Sequence, residues 1–85
     1  MMRMDSQHVI KVLRYIYDCN LTHEPVWISK IIRHFPEPEQ SSVDAEIDYL
    51  FDLGCLEGQW EKINRQWMRT IHLTDGGLCV FFATK

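Results

Sequence analysis

The stretch Cys55–Leu73, CLEGQWEKINRQWMRTIHL, decides the fold. Before it, apolar residues recur at three- and four-residue spacing; from Cys55 the period is two. Leu56, Gly58 and Trp60 alternate with Glu57, Gln59 and Glu61, and Trp67, Ile71 and Leu73 alternate with Met68, Thr70 and His72. Alternation on both sides of Asn64-Arg65 predicts a β-hairpin turning there. That register sets Trp60 opposite Arg69, Lys62 opposite Trp67 and Glu57 opposite His72, all sensible cross-strand partners. Both tryptophans then share one face, and Arg69 is expected to stack on Trp60.

Upstream the pattern is helical. Val9, Val12, Leu13, Ile16 and Cys19 or Asn20 predict a helix over about 6–20, capped at its start by Asp5 or Ser6 and at its end by a left-handed Asn20. Val26-Trp27-Ile28 suits a brief strand. A second helix is expected at about 27–35, with Ile28, Ile31, Ile32 and Phe35 inward, Lys30, Arg33 and His34 outward, and Pro36 ending it. A third runs over about 38–53, starting at Pro38 or at Ser41/Ser42. Val43, Ile47, Leu50 and Phe51 form its inner face, and Gly54 supplies a left-handed cap. Its opposite face holds Ser41, Asp44, Ala45, Asp48, Tyr49 and Asp52. Thr74 caps a last element at about 75–83. Its run Leu78-Cys79-Val80-Phe81-Phe82-Ala83 has no polar face, so period does not separate helix from strand there.

Eighty-five residues, 46% apolar and 25% charged, make one globular domain over 1–85. Three cysteines, 36 and 24 residues apart, form neither a disulfide framework nor a zinc pattern. No apolar run approaches the ~18 residues of a membrane span, and the start has no signal-peptide core. A reducing cytoplasm is the expected location. No nucleophile, base and orienting group assemble, there is no glycine-rich phosphate loop, and no metal, cofactor, small-molecule substrate or catalysis is expected.

The charge is unevenly placed. Glu37 to Glu57 carries seven acids and no Lys or Arg, while the rest carries five acids and nine bases, so the parts are −7 and +4 and sum to −3.

The order helix, short strand, helix, tight turn, helix, hairpin, closing element resembles the winged helix-turn-helix superfamily over about residues 6–83. Val43 to Leu56 looks like a recognition helix running into Leu-x-x-Leu-Gly-x-Leu. Ile71 to Gly77 looks like the leucine-threonine-acid-x-glycine exit from a wing. The resemblance implies a mainly α, α+β domain: three helices, a two- or three-stranded antiparallel sheet whose hairpin (about 55–73) is the wing, and a short C-terminal element. It also implies a small DNA-binding regulator, with transcription as the candidate process, acting as a dimer. In such folds the third helix enters the major groove and the wing touches backbone or minor groove.

Carried over by position, Ser41, Ser42, Ala45, Asp48 and Tyr49 would face the groove. Here the chain departs from the pattern, because Asp44, Asp48 and Asp52 repel phosphate and Asp accepts only from cytosine. Lys62, Arg65 and Arg69 on the wing, with Lys30 and Arg33 on the second helix, are the expected sources of phosphate attraction. The other reading is a protein-interaction module without DNA. In it, Asp44, Asp48, Tyr49 and Asp52 meet a basic partner. Adjacent Phe81 and Phe82 are hard to bury in one small core, so Leu78, Val80, Phe81 and Phe82, with Tyr15 and Tyr17 of the first helix, are expected to form a homodimer seam.

Overall fold

In the computed structural model, residues 6–84 are described, the side chains of residues 6, 7 and 84 excepted. The expected caps Asp5 and Ser6 therefore lie outside the described residues or side chains. The elements are α1 (Ser6–Leu21), α2 (Ile28–Arg33), a single 3-10 turn (Glu37–Glu39), α3 (Gln40–Asp52), β1 (Leu56–Ile63), β2 (Gln66–Leu73) and α4 (Asp75–Thr84). Among the described residues the fold is α+β: four helices and one two-stranded antiparallel hairpin.

The core is a single cluster. Val12, Leu13 and Ile16 of α1 meet Ile31 of α2, Val43, Ile47 and Leu50 of α3, Leu56 and Ile71 of the hairpin, and Phe81 of α4. α1 and α3 contribute positions at three- and four-residue spacing, as one buried stripe requires.

The hairpin has the expected register, with Trp60 opposite Arg69, Lys62 opposite Trp67 and Glu57 opposite His72. Its two turn residues, Asn64 (φ 51°) and Arg65 (φ 68°), are both left-handed. That is a type I′ turn, whose twist matches that of antiparallel strands. Only the base of the hairpin is packed. Leu56, Thr70 and Ile71 are buried, whereas Gln59–Lys62 and Asn64–Trp67 are exposed.

α3 ends as the sequence predicts. Gly54 is left-handed (φ 76°), its N–H bonds Phe51 O, and Cys55 N–H bonds Leu50 O. This pair of bonds satisfies the last carbonyls of the helix. α4 is a helix rather than a strand. Thr74 caps it, accepting the Gly77 N–H at 3.1 Å. Gly77 is required there for space, because a Cβ would collide with the Cys55 carbonyl.

Four expectations are corrected. No strand forms at Val26–Ile28; what remains of it is one bond, Ile71 N–H to Val26 O at 2.8 Å. α2 is shorter than expected, beginning after an extended Trp27. α3 begins at Gln40, because Pro38 is taken into the preceding 3-10 turn. α1 continues to Leu21, and the left-handed residue beyond it is His23 (φ 59°), not Asn20. Asn20 instead serves the sheet: its carboxamide donates to Ile71 O at 3.2 Å and accepts Leu73 N–H at 3.0 Å. Placed beside the Val26 bond, it covers the outer edge of β2.

Candidate nucleic-acid and protein interfaces

Because successive strand residues point to opposite faces, the register sorts the hairpin into two surfaces. One carries Leu56, Gly58, Trp60 and Lys62 of β1 with Trp67, Arg69, Ile71 and Leu73 of β2. Near the core this face is apolar and packed; beyond Gly58 it becomes aromatic and basic. Trp60 is 68% exposed and Trp67 66% exposed. Lys62 is exposed between them, and Arg65 projects from the tip. No acid lies on this face.

The acids of the hairpin are on the other face, with Glu57 and Glu61. Glu61 accepts a hydrogen bond from the Thr70 hydroxyl and lies 3.2 Å from His72 Nε2. These two contacts, the hydroxyl first, hold its carboxyl below the usual carboxylate value.

Arg69 is placed differently from the sequence expectation. Its guanidinium crosses Gly58 and lies over the Phe51 ring, 5.3 Å from the centroid, rather than on Trp60. A side chain at Gly58 would overlap it, so the missing Cβ opens its path to α3. Arg69 thus ties the hairpin to α3 while remaining exposed.

The bases of α2 are partly committed. Lys30 donates to Pro25 O at 2.7 Å, approaches Glu24 at 3.4 Å and sits 5.1 Å from the Trp27 ring. Arg33 Nε donates to Ser29 O at 3.3 Å and stays at the surface.

The outer face of α3 holds Ser41, Ser42, Asp44, Ala45, Asp48, Tyr49 and Asp52, all exposed, Tyr49 to 48%. It carries three carboxylates and no base. A fourth acid, Glu46, turns inward: it is buried, and its Oε1 lies 3.4 Å from His8 Nδ1 of α1. The opposite ring nitrogen of His8 is 2.5 Å from Glu39 Oε1. His8 therefore links α1 to the 3-10 turn and to α3. The signal was readable, since Glu46 lies on the same helical stripe as Val43, Ile47 and Leu50.

At the other end of the molecule, Phe81 and Phe82 part company. Phe81 is 3% exposed and packs on Tyr17 with ring centroids 5.0 Å apart, completing the core. Phe82 is 52% exposed, its ring nearly perpendicular to that of Tyr17 with centroids 5.7 Å apart. Leu78 is half-buried and Val80 exposed. Of the expected seam, Phe82 and Val80 are therefore the outward members, and Phe81 belongs inside.

Sequence reasoning did not foresee a groove of about 310 Å³ lined by Lys11, Arg14, Tyr15, Asp18, His34 and Phe35. Tyr15 stacks on His34, centroids 3.9 Å apart and nearly parallel. Burial pushes the Tyr15 phenol up, as it does the neighbouring Cys19 thiol.

Among the described residues, no group of three or more His, Cys, Asp or Glu is arranged to hold a metal ion. No described helix is long and apolar enough to cross a membrane. Compared with known protein families, with curated proteins and with solved structures, the chain matches none.

Proposed function

We propose that this chain is a small winged-helix regulator that contacts DNA through its hairpin and acts as a dimer. In this reading α2 and α3 are the helix-turn-helix pair and β1–β2 is the wing. The order of elements supports it, as does the Ile71–Val26 bond, which stands where a third short strand would pair. The observation that carries the reading is the charge sorting of the hairpin. Lys62, Arg69, Trp60 and Trp67 share a face without a single acid, and Arg65 stands at the tip.

The wing, rather than α3, then supplies the attraction. Asp44, Asp48 and Asp52 hold the third helix away from phosphate, so ordinary insertion of that helix into the major groove is not part of the proposal. The relevant experiment is binding of a labelled DNA duplex at ~50 mM salt, where phosphate contacts are strongest. Binding that weakens as salt rises supports the reading. Its absence at ~50 mM salt rejects it.

One observation favours a second reading. Tyr49, half exposed among Asp48 and Asp52, is the kind of aromatic that anchors protein interfaces. Under that reading α3 meets a basic protein surface and DNA is not bound.

A further inference from the structure

Two exposed indoles are an unusual expense on a surface whose purpose is only to touch phosphate. Lysines and arginines do that alone. Trp60 and Trp67 sit two-thirds exposed on one face, and Lys62 and Arg69 are their cross-strand partners. An aromatic surface interleaved with bases matches the chemistry of an unpaired strand, which offers base faces to stack and phosphates to neutralise. An intact duplex offers its phosphates and the base edges in its grooves, but its base faces are covered by stacking.

The register sharpens the match. Trp60 faces Arg69 and Trp67 faces Lys62, so the indoles are diagonal neighbours. Diagonal positions on an antiparallel pair lie roughly 7–8 Å apart. That is about twice the 3.4 Å rise of a strand in B-DNA. Consecutive bases can reach both rings only after the strand has been unstacked and extended.

The turn points the same way. Arg65 occupies a left-handed position (φ 68°) where glycine is the ordinary choice. The chain accepts that strain and places a cation at the end of the aromatic face.

Resting on the reading of the hairpin as a nucleic-acid-contacting wing, we infer that its Trp60–Trp67 face binds single-stranded nucleic acid, stacking unpaired bases on the two indoles while Lys62 and Arg65 hold the adjoining phosphates. The site prefers an open strand to a closed duplex of the same length. Arg69 contributes less, since its guanidinium is engaged over Phe51.

The test uses the full chain with three fluorescently labelled probes: a twelve-nucleotide oligo(dT), the matching oligo(rU), and a duplex of twelve base pairs. Anisotropy gives affinity, and intrinsic tryptophan emission reports stacking against the constant background of half-buried Trp27. At ~50 mM salt, oligo(dT), oligo(rU) or both should bind at least about tenfold more tightly than the duplex and quench the emission. Trp60→Ala and Trp67→Ala should each weaken single-strand binding by at least about fivefold, and by clearly more than they weaken duplex binding. Trp60→Phe should recover part of the loss, because a smaller ring still stacks. Both indoles lie outside the core, and an unchanged circular dichroism spectrum identifies variants that remain folded.

Duplex binding equal to or tighter than single-strand binding would overturn the inference and leave the DNA-binding reading standing. So would tight single-strand binding that both alanine variants retain. If no probe binds at ~50 mM salt, both readings fall, and the indoles become candidates for a protein contact.

Discussion

The side chain of Asn20 is bonded to the backbone of Leu73, its Oδ1 accepting the Leu73 N–H at 3.0 Å while its Nδ2 donates to the neighbouring Ile71 carbonyl. One carboxamide from α1 thus occupies two groups on the outer edge of β2, as a strand would. Asn20→Ala should leave both groups unsatisfied in a partly buried position and cost about 2 kcal/mol. For a domain of this size that is a fall in Tm of about 10 °C. A thermal melt followed by circular dichroism checks it. An unchanged Tm would mean the edge is satisfied by water.

The hairpin tip should separate stability from binding. Arg65 holds a left-handed conformation that costs an L side chain about 1 kcal/mol and glycine almost nothing. Arg65→Gly should therefore raise stability, by up to about 1 kcal/mol, and weaken nucleic-acid binding by the loss of one charge. Chemical denaturation and a binding titration on the same variant measure the two effects, which are expected to have opposite signs.

Acid should loosen the hairpin through Glu61. The Thr70 hydroxyl, and after it the His72 ring, keep the Glu61 carboxyl below its usual value of 4.5. A carboxyl lowered in the folded state stabilises fully above its unfolded pKa, and that contribution disappears as pH falls through the folded value. The loss should therefore begin near pH 4.5 and continue downward. Between about pH 7 and pH 3, the unmodified chain should lose more in Tm than Glu61→Gln, which has no carboxylate to protonate. Equal losses would mean that the contact contributes nothing measurable.

The exposed end of α4 should set the oligomeric state. Phe82 is 52% exposed, whereas its neighbour Phe81 is already committed to the core. Phe82→Glu should give a folded monomer from a dimeric parent, measured by sedimentation. A parent chain that is monomeric at ~100 μM, far above a micromolar dissociation constant, would remove the seam from the account.

Most of the hairpin was legible in the sequence because two independent signals agreed. The period of two fixed the faces, and a two-residue turn at Asn64-Arg65 then fixed every cross-strand pair. The end of α3 was legible for a similar reason: Gly54 fits a left-handed position that other residues resist. The start of α3 was not, since Pro38, Ser41 and Ser42 all suit a helix start and local preference does not rank them. α4 was ambiguous because it has no polar face; Thr74 and the close approach of Gly77 to Cys55 hold it as a helix.

Contacts made far along the chain left no local trace. Asn20 reaches β2 across 51 residues, and Arg69 chose Phe51 over its cross-strand partner because Gly58 left the way open. The acidic third helix was visible as composition. That Glu46 turns inward toward His8 was visible as spacing, yet a carboxylate on an apolar stripe is easily assigned to the surface.

The central claim is that the hairpin, and not α3, draws this protein to nucleic acid. The most direct measurement is the salt dependence of DNA binding by the unmodified chain, by the double variant Lys62→Ala/Arg65→Ala, and by Asp48→Asn. The double variant should bind every sequence more weakly and flatten the slope of log K against log salt by about two charges. Asp48→Asn should strengthen binding by removing repulsion. A double variant with unchanged affinity and slope, or an Asp48→Asn that destroys sequence selectivity, would contradict the account and return the reading surface to α3.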